Sequence, residues 1–201
     1  MKIIHGDQGT EEWLSLRIAS IGGTAINSVM AGGQGKMRKS LMYAFVGELL
    51  SGQKKEITMT AYMEAGILHE SDARLLYEIE TDIDVEEVSI ILGDKPHTHF
   101  SPDGLLNDDG VLEIKTVIPS VWAERKLTKK IPLEYYRQCM WGMYITGRQW
   151  ADFVCYCPYL TDSYPLFTQM IERDEKIIED MTEASDKFIA EMLEMYNKVK
   201  V

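Results

Sequence analysis

Cysteine, long apolar runs and net positive charge are all scarce in this sequence of 201 residues. Its three cysteines, Cys139, Cys155 and Cys157, are odd in number and form no CxxC pair. This pattern argues against a disulfide framework and against a zinc or iron–sulfur cluster. We therefore expect all three thiols to be buried as apolar groups.

Charges or glycines interrupt every apolar stretch well before the ~20 residues that a membrane span requires. The opening residues MKIIHGDQGTEEW contain no basic segment followed by an apolar run, which a secretory signal would have. We expect a cytoplasmic protein with no membrane partner.

The net charge of −11 argues against a protein that coats nucleic acid, because non-specific affinity for DNA comes from Lys and Arg. Contacts with DNA would have to be concentrated locally. Two basic stretches could supply them, and each could equally be a solvated face between acidic segments: Lys36, Arg38 and Lys39, and then Arg125, Lys126, Lys129 and Lys130.

The chain is 45% hydrophobic, and its length favours a single domain over residues 1–201. Apolar spacing predicts helices beginning at Thr10 and over about 40–50, 60–80, 120–128, 132–146 and 174–198. Strand patterns lie within 83–92, 97–106, 111–117, 150–156 and 166–171, and the glycine-rich segment 31–40 is predicted to be a loop. This order predicts an α/β or α+β fold in which helices pack on a mixed sheet.

The segment SPDGLLNDDGVLEIKTV, residues 101–117, carries the pattern with the most chemical content. Side chains two positions apart on a strand share a face, so Glu113 and Lys115 lie side by side while Ile114 points into the core. The sequence therefore places an acid next to an amine.

The hairpin loop decides whether Asp103 joins this pair. A three-residue loop over 108–110, with its glycine in the left-handed conformation, pairs Asn107 with Val111 and Asp103 with Lys115. The three polar side chains then share a face, whereas a four-residue loop would separate Asp103 from the other two.

Asp103 and Glu113 can together hold a hard cation such as Mg²⁺, which binds phosphate oxygens and activates water. Lys115 beside them can orient or help deprotonate the attacking water and offset charge on phosphorus. The alternative is that Glu113 and Lys115 form an exposed strand face and that Asp103 is a turn residue.

At these residues the chain resembles the PD-(D/E)XK nucleases, whose pattern is present as Pro102-Asp103 and Glu113-Ile114-Lys115. It resembles more closely the family of phage lambda exonuclease, the YqaJ-type viral recombinases and the alkaline exonucleases. The similarity covers nearly the whole chain, in the blocks EEWLSLRIASIGGTAI, GILHESDARLLYE, SPDGL, LEIK, YYRQCMWGMYITG and IERDEK. It implies a restriction-endonuclease-like core, a mixed sheet flanked by helices.

The resemblance implies a metal site made by Asp103, Glu113, the backbone carbonyl of Ile114 and Glu70, with Lys115 assisting the water. The implied cofactor is Mg²⁺, with Mn²⁺ as a possible substitute. Glu70 would deliver its acid from a helix, and its alternative role is an exposed helix carboxylate.

Binding of a terminal 5′-phosphate is implied for Arg17, Thr24 and Ser101. Charge-assisted hydrogen bonds from an arginine suit a phosphate. The alternatives are a surface salt bridge for Arg17 and backbone caps for the two hydroxyl residues. Gln138 matches a glutamine near the family's active site, whereas Met140 replaces a second polar residue, and the Met and aromatic residues of this stretch are expected to pack in the core.

The function implied is a Mg²⁺-dependent 5′-to-3′ exonuclease that acts on double-stranded DNA ends and leaves 3′ single-stranded overhangs for recombination. Its implied partners are two further copies in a ring-shaped homotrimer and a single-strand annealing protein. Two other functions remain open: a structure-specific endonuclease or resolvase with the same core, and a non-catalytic scaffold that binds DNA ends.

Overall fold

The structure, a computed structural model, describes residues 1–31, 35–54 and 60–200. Its elements follow in the order β1 (Lys2–Ile4), α1 (Glu11–Leu16), α2 (Ile26–Met30), α3 (Lys36–Ser51), α4 (Ala61–Thr81), β2 (Val85–Glu86), β3 (Ile90–Leu92), β4 (His99–Phe100), β5 (Gly104–Leu106), β6 (Gly110–Thr116), α5 (Pro119–Thr128), α6 (Leu133–Thr146), β7 (Trp150–Tyr156), β8 (Leu166–Glu172) and α7 (Glu175–Val199). No described helix combines the length and the apolar character required to cross a membrane.

The strands form two sheets. The larger sheet has five strands in the order β2-β5-β6-β7-β8, and the smaller has three in the order β1-β3-β4. Within the larger sheet β6 and β7 are parallel and the other neighbours are antiparallel. A parallel pair needs a long crossover, which α5 and α6 supply between β6 and β7. The predicted α/β fold with a mixed sheet is therefore confirmed.

The side chains of β6 alternate between the two faces of the larger sheet. Val111 packs in an apolar cluster with residues of α2, α3, α6 and α7. Ile114 packs on the opposite face with Tyr77 of α4 and is buried, as predicted. Because helices cover both faces of the sheet, the first five residues of β6 are buried. Glu113 lies two residues after Val111 and therefore on the same face of the sheet.

The β5–β6 hairpin has a three-residue loop, as predicted, but the loop comprises residues 107–109 and so begins one residue earlier. Leu106 pairs with Gly110, and the predicted pairing of Asn107 with Val111 is wrong. Asn107 takes the left-handed conformation, with a φ of 46°, that was predicted for the glycine. Asparagine tolerates this conformation better than most residues.

Residues before and within β7 hold this loop. Nη1 of Arg148 donates to the carbonyl oxygens of Leu106, Asn107 and Gly110, at distances of 3.0, 2.8 and 2.8 Å. A Cβ atom at Gly110 would lie 2.3 Å from the ring of Trp150. Packing, rather than backbone conformation, therefore requires glycine at this position.

The observed register pairs Gly104 with Leu112, so the predicted pairing of Asp103 with Lys115 is also wrong. One step beyond that pair, Asp103 comes opposite Glu113. A shift of two residues returns every side chain to its original face, because side chains alternate with a period of two. The shared face predicted for the three polar residues therefore survives the error in register.

The predicted loop over 31–40 is wrong in its second half, since α3 already begins at Lys36. Arg38 in the first turn of α3 is half-buried and pairs with Glu191 of α7 at 2.7 Å. This tertiary contact holds the first turn against α7. Residues 32–34 of the predicted loop lie outside the described residues.

The remaining predictions differ from the structure mainly in detail. The side chain of Thr10 accepts a hydrogen bond from the backbone N–H of Trp13 and caps α1, as predicted. The predicted strand regions 83–92 and 97–106 each contain two short strands rather than one. All three cysteines are buried, as predicted.

Candidate active site

Glu113 and Lys115 contact each other on β6, where Nζ of Lys115 donates a hydrogen bond to Oε1 of Glu113. Glu113 is 0% exposed, so an exposed strand face is wrong for this residue. Its other oxygen, Oε2, is buried and has no hydrogen-bond partner among the described residues. Since a buried polar atom without a partner is destabilising, this oxygen is suited to a further positively charged ligand.

Asp103 lies directly before β5 and directs its carboxylate at β6. Its Oδ2 accepts a hydrogen bond from the backbone N–H of Ile114 at 2.6 Å. The side chain therefore bonds across the hairpin, which is more than the local turn role considered as the alternative. This contact places Asp103 against the strand that carries Glu113 and Lys115.

Glu70 reaches this cluster from α4 together with Arg74. Arg74 donates to Oε1 of Glu70 at 2.6 Å and to the backbone oxygen of Asp103 at 3.1 Å, and it also pairs with Glu87 at 2.6 Å. The arginine thereby ties α4 to the start of β5. No role was predicted for Arg74, although its spacing of four residues from Glu70 on a helix was a signal that could have identified it.

The pKa shifts follow from this crowding of charge. Burial and the charge of Asp103 raise the pKa of Glu113 to about 7, against the opposing charge of Lys115. Burial and Asp103 also raise the pKa of Glu70 to about 7, against Arg74. Burial lowers the pKa of Lys115, but Glu113 and Asp103 outweigh it and the net pKa is raised. The acids therefore gather where a cation relieves their repulsion.

No group of three or more His, Cys, Asp or Glu side chains within the described ranges is arranged to hold a metal ion. In this structure basic side chains neutralise the two glutamates. Lys115 pairs with Glu113, and Arg74 pairs with Glu70. The residue types still fit a hard cation, because the partnerless Oε2 of Glu113 is buried and carboxylate oxygens are ligands that Mg²⁺ prefers.

Helix α6 borders the cluster. Nζ of Lys115 lies 5.3 Å from the ring centroid of Tyr135. Gln138, on the next turn, is half-buried and packs on Gly23. A Cβ atom added to Gly23 would lie 2.7 Å from Cγ of Gln138. The described residues contain no hydrogen bond from Gln138 to the acids. Met140, Trp141 and Met143 are fully buried, which confirms the predicted core packing.

Arg17 lies at the C-terminal end of α1 and forms no described hydrogen bond or salt bridge with Asp103, Glu113 or Glu70. Its guanidinium is 3.8 Å from the ring centroid of Trp13, and its Nε donates to Nε2 of His99 at 3.1 Å. Within the described part of the chain no carboxylate forms a salt bridge with Arg17, and no hydrogen bond joins it to Thr24 or Ser101. Thr24 is exposed in the turn before α2. Oγ of Ser101 is buried and lacks a described partner, so the backbone-cap role is wrong for it.

His99 was not predicted from the sequence, where no motif marks it. Its Nδ1 lies 2.8 Å from Oγ of Ser20, and its Nε2 accepts from Arg17. Burial, followed by the positive charges of Arg17 and Lys54, lowers the pKa of His99 to about 3. The ring is therefore neutral at physiological pH.

Glu48 on α3 provides the negative charge near this group. It is 4% exposed, and its Oε2 accepts hydrogen bonds from the backbone N–H of Ala19 at 2.8 Å and from Lys54 at 2.9 Å. Burial lowers the pKa of Arg17 to about 10, and the charge of Glu48 opposes that shift. Arg17 therefore keeps its positive charge at neutral pH.

The buried neutral His99 predicts a specific dependence of stability on pH. Its folded-state pKa of about 3 lies below the ordinary value of 6.5, so the unfolded chain takes up the proton first. The stability that this group contributes is present above pH 6.5 and is lost as the pH falls towards 3. When the pH is lowered from about 7.5 to about 5, we expect the free energy of unfolding of the wild type to fall by roughly 2 kcal/mol more than that of His99→Gln.

Urea unfolding at the two pH values measures this difference. His5→Gln, which removes an exposed histidine, is the matched control and should keep the wild-type pH dependence. Equal losses in the wild type and in His99→Gln would contradict the burial of a neutral imidazole at this position.

Comparison with known proteins identifies the relatives of this chain. Residues 12–149 match the model of the YqaJ-like viral recombinase domain. The fold is similar to the crystal structure of an alkaline exonuclease, LHK-Exo, from Laribacter hongkongensis, with 32% identity and a TM-score of 0.88 over 95% of this chain and 96% of that chain. LHK-Exo in complex with dAMP matches with 34% identity and a TM-score of 0.86 over the same shares, 95% and 96%.

A phage-related exonuclease from Haemophilus somnus 129PT shares the fold at 12% identity, with a TM-score of 0.63 over 88% of this chain and 96% of that chain. No curated protein matches the sequence. The family model and the identity to LHK-Exo together cover most of the chain, including the segments that carry Glu70, Asp103, Glu113 and Lys115. This chain belongs to the YqaJ-like viral recombinase domain family.

Proposed function

We propose that this chain is a metal-dependent exonuclease that degrades one strand of double-stranded DNA from its 5′ end and leaves 3′ single-stranded overhangs for recombination with a single-strand annealing protein. Family membership makes the chain a nuclease, a hydrolase that acts on DNA. The observation that carries the proposal is the buried Glu113, hydrogen-bonded to Lys115 and facing Asp103 across the hairpin.

The acid cluster would hold Mg²⁺, or Mn²⁺ in its place, through Asp103, Glu113, Glu70 and the backbone carbonyl of Ile114. When bound, the ion polarises the phosphodiester and lowers the pKa of water. The acids favour such a cation because burial and mutual repulsion penalise their negative charges without one.

Lys115 is suited to act on the phosphate as a charged donor. Its ammonium group is held by Glu113, and the ring of Tyr135 lies beside it. In hydrolysis the water oxygen bonds to phosphorus and gives up a proton as the bond to the 3′ oxygen of the departing nucleotide breaks. That oxygen takes up a proton and leaves as the 3′-hydroxyl of the released nucleotide. The ammonium then offsets the negative charge that builds on the phosphate oxygens and orients the attacking water.

Arg17, Thr24 and Ser101 would bind the terminal 5′-phosphate. The Nε of Arg17 is used by His99, which leaves its two terminal nitrogens to form a fork that suits phosphate oxygens. Ser101 precedes Asp103 by two residues and has a buried hydroxyl without a described partner. A phosphate bound there would lie close to the acids, and Gln138 would help to position the terminal nucleotide.

The duplex would contact the basic C-terminal end of α5 and the two lysines that follow it. Residues 119–130 contain four basic residues and one acid, in a chain with a net charge of −11. Lys126, Lys129 and Lys130 are exposed, and no carboxylate pairs with them among the described residues. Arg125 is close enough to influence the pKa of Cys155, which is the register partner of Lys115. The other basic stretch is less suited, since Arg38 already pairs with Glu191.

We also propose that residues 1–201 act as one domain and that three copies form a ring around DNA. A ring reconciles the acidic net charge with DNA binding, because a basic inner surface can coexist with an acidic outer one. The long helix α7 would contribute to the acidic surface, with seven acids and three lysines in its 25 residues.

End-labelled linear duplex tests the reaction and its direction. With Mg²⁺, we expect the 5′ label to be released early and the 3′ label to be retained, because one strand is degraded from its 5′ end. Chelation with EDTA should abolish release, and Lys115→Ala should lower the rate by at least about 100-fold, since it removes a donor to the developing charge. Lys95→Ala, which removes an exposed lysine paired with Asp186, is the matched control.

Two results would favour the other functions. Cutting of a covalently closed circular duplex would indicate an endonuclease or resolvase. Binding of linear ends without nucleotide release in Mg²⁺ or Mn²⁺ would indicate a non-catalytic scaffold.

Salt dependence of DNA binding tests the role of α5. In the triple variant Lys126→Gln, Lys129→Gln, Lys130→Gln, the slope of log K against log salt concentration should become shallower by about 0.9 for each phosphate that the protein no longer neutralises. Binding is measured in EDTA, so that cleavage does not interfere. The control replaces Lys176, Lys187 and Lys198 of α7 by Gln and changes the net charge equally. If both triple variants shift the slope by the same amount, α5 is not the contact surface.

Light scattering tests the assembly. We expect a mass three times the 23.0 kDa of the chain at assay concentration. A mass equal to that of one chain, under conditions in which linear DNA is degraded, would show that the ring is not needed for activity.

A further inference from the structure

Two described side chains, His99 and Trp13, contact the guanidinium of Arg17. The imidazole Nε2 accepts from Nε of Arg17 at 3.1 Å, while the guanidinium lies 3.8 Å from the ring centroid of Trp13. One edge of the guanidinium is thus bonded and one face is covered. The remaining edge carries the two terminal nitrogens.

The chemistry of the two partners fixes the tautomer of His99. An arginine Nε is a donor only, so Nε2 of His99 must be the unprotonated acceptor. The ring proton is then on Nδ1, which donates to Oγ of Ser20 at 2.8 Å. Ser20 therefore keeps the lone pair of Nε2 directed at Arg17.

The surrounding backbone fixes the ring itself. The N–H of His99 donates to the carbonyl of Ile21 at 3.0 Å, and its own carbonyl accepts from Nε1 of Trp141 at 2.9 Å. A Cβ atom at Gly22 would lie 2.6 Å from Nε2, so only glycine leaves room for the imidazole. His99 is 2% exposed, and a side chain this enclosed has little freedom to reorient.

We infer that His99 is a positioning residue for substrate recognition, which holds Arg17 so that its two terminal nitrogens face the terminal 5′-phosphate of a DNA strand. This inference rests on the proposed binding of that phosphate by Arg17. His99 does not touch the phosphate. It acts by supplying a neutral acceptor at a fixed place, and Ser20 acts through it.

The experiment compares linear duplexes that carry a 5′-phosphate with duplexes that carry a 5′-hydroxyl. The quantity measured is the ratio of kcat/KM for the two substrates, with kcat and KM determined separately. We expect the wild type to prefer the phosphorylated end. His99→Leu should bring that preference down by roughly 10- to 100-fold, mainly through KM, since a hydrogen bond to a charged group is no longer directed.

A conservative variant distinguishes positioning from general support of the fold. In His99→Gln an amide oxygen can replace Nε2 as the acceptor of the hydrogen bond from Arg17. This variant should therefore retain most of the preference for the phosphorylated end. Ser20→Ala removes the acceptor that keeps the ring proton of His99 on Nδ1 but leaves the imidazole in place. It should therefore reduce the preference less than His99→Leu does. Ser15→Ala, in which the deleted hydroxyl bonds only to the backbone of Glu12, is the matched control and should not change the ratio.

The outcomes separate the inference from the proposal on which it rests. If the wild type treats both ends alike, phosphate recognition by Arg17 fails and the role of His99 fails with it. If the wild type discriminates and folded Ser20→Ala and His99→Leu keep the full preference, only the positioning role is overturned. An equal decline on both substrates would also overturn it, because this is the result expected from a purely structural residue.

Discussion

A negative charge buried inside a sheet needs a positive partner, and the pairing of Glu113 with Lys115 meets this need on β6. Helices cover both faces of that strand, and Glu113 is 0% exposed. One of its oxygens is satisfied by the amine and the other has no described partner. Asp103 adds a second carboxylate across the hairpin, which increases the demand for a cation at this position. The fold thereby gathers these charged groups at one place, where we propose that a metal ion binds.

Segments distant in the chain converge on this arrangement through backbone contacts. Arg74 joins α4 to the carbonyl of Asp103, and Arg148 joins the start of β7 to the hairpin loop. The short stretch from His99 to Asp103 lies between the two functional groups of residues, with the partner of Arg17 at one end and an acid of the cluster at the other. Five residues of chain therefore link proposed end recognition to proposed hydrolysis.

The wrong loop position and register predicted for the β5–β6 hairpin both result from tertiary contacts. Local turn preference favoured Gly110 as the left-handed residue, but Arg148 and Trp150 hold the loop so that Asn107 takes that role. Contacts made 38 to 42 positions away outweighed the preference of the turn itself. By contrast, the bounds of β7 agree with prediction, because an apolar strand covered on both faces carries its own signal.

The sequence by itself determined the residue types and their shared face: Asp103, Glu113 and Lys115 align because the period of a strand is two, and this survives a shift of two residues in register. It also identified the family, whose blocks extend along most of the chain. Only the tertiary structure decided that Glu113 is buried with one carboxylate oxygen that has no described hydrogen-bond partner. It also decided that Nε2 of His99 accepts a hydrogen bond from Arg17. Those properties depend on groups as far as 82 positions apart, and local spacing carries no information about contacts at that separation.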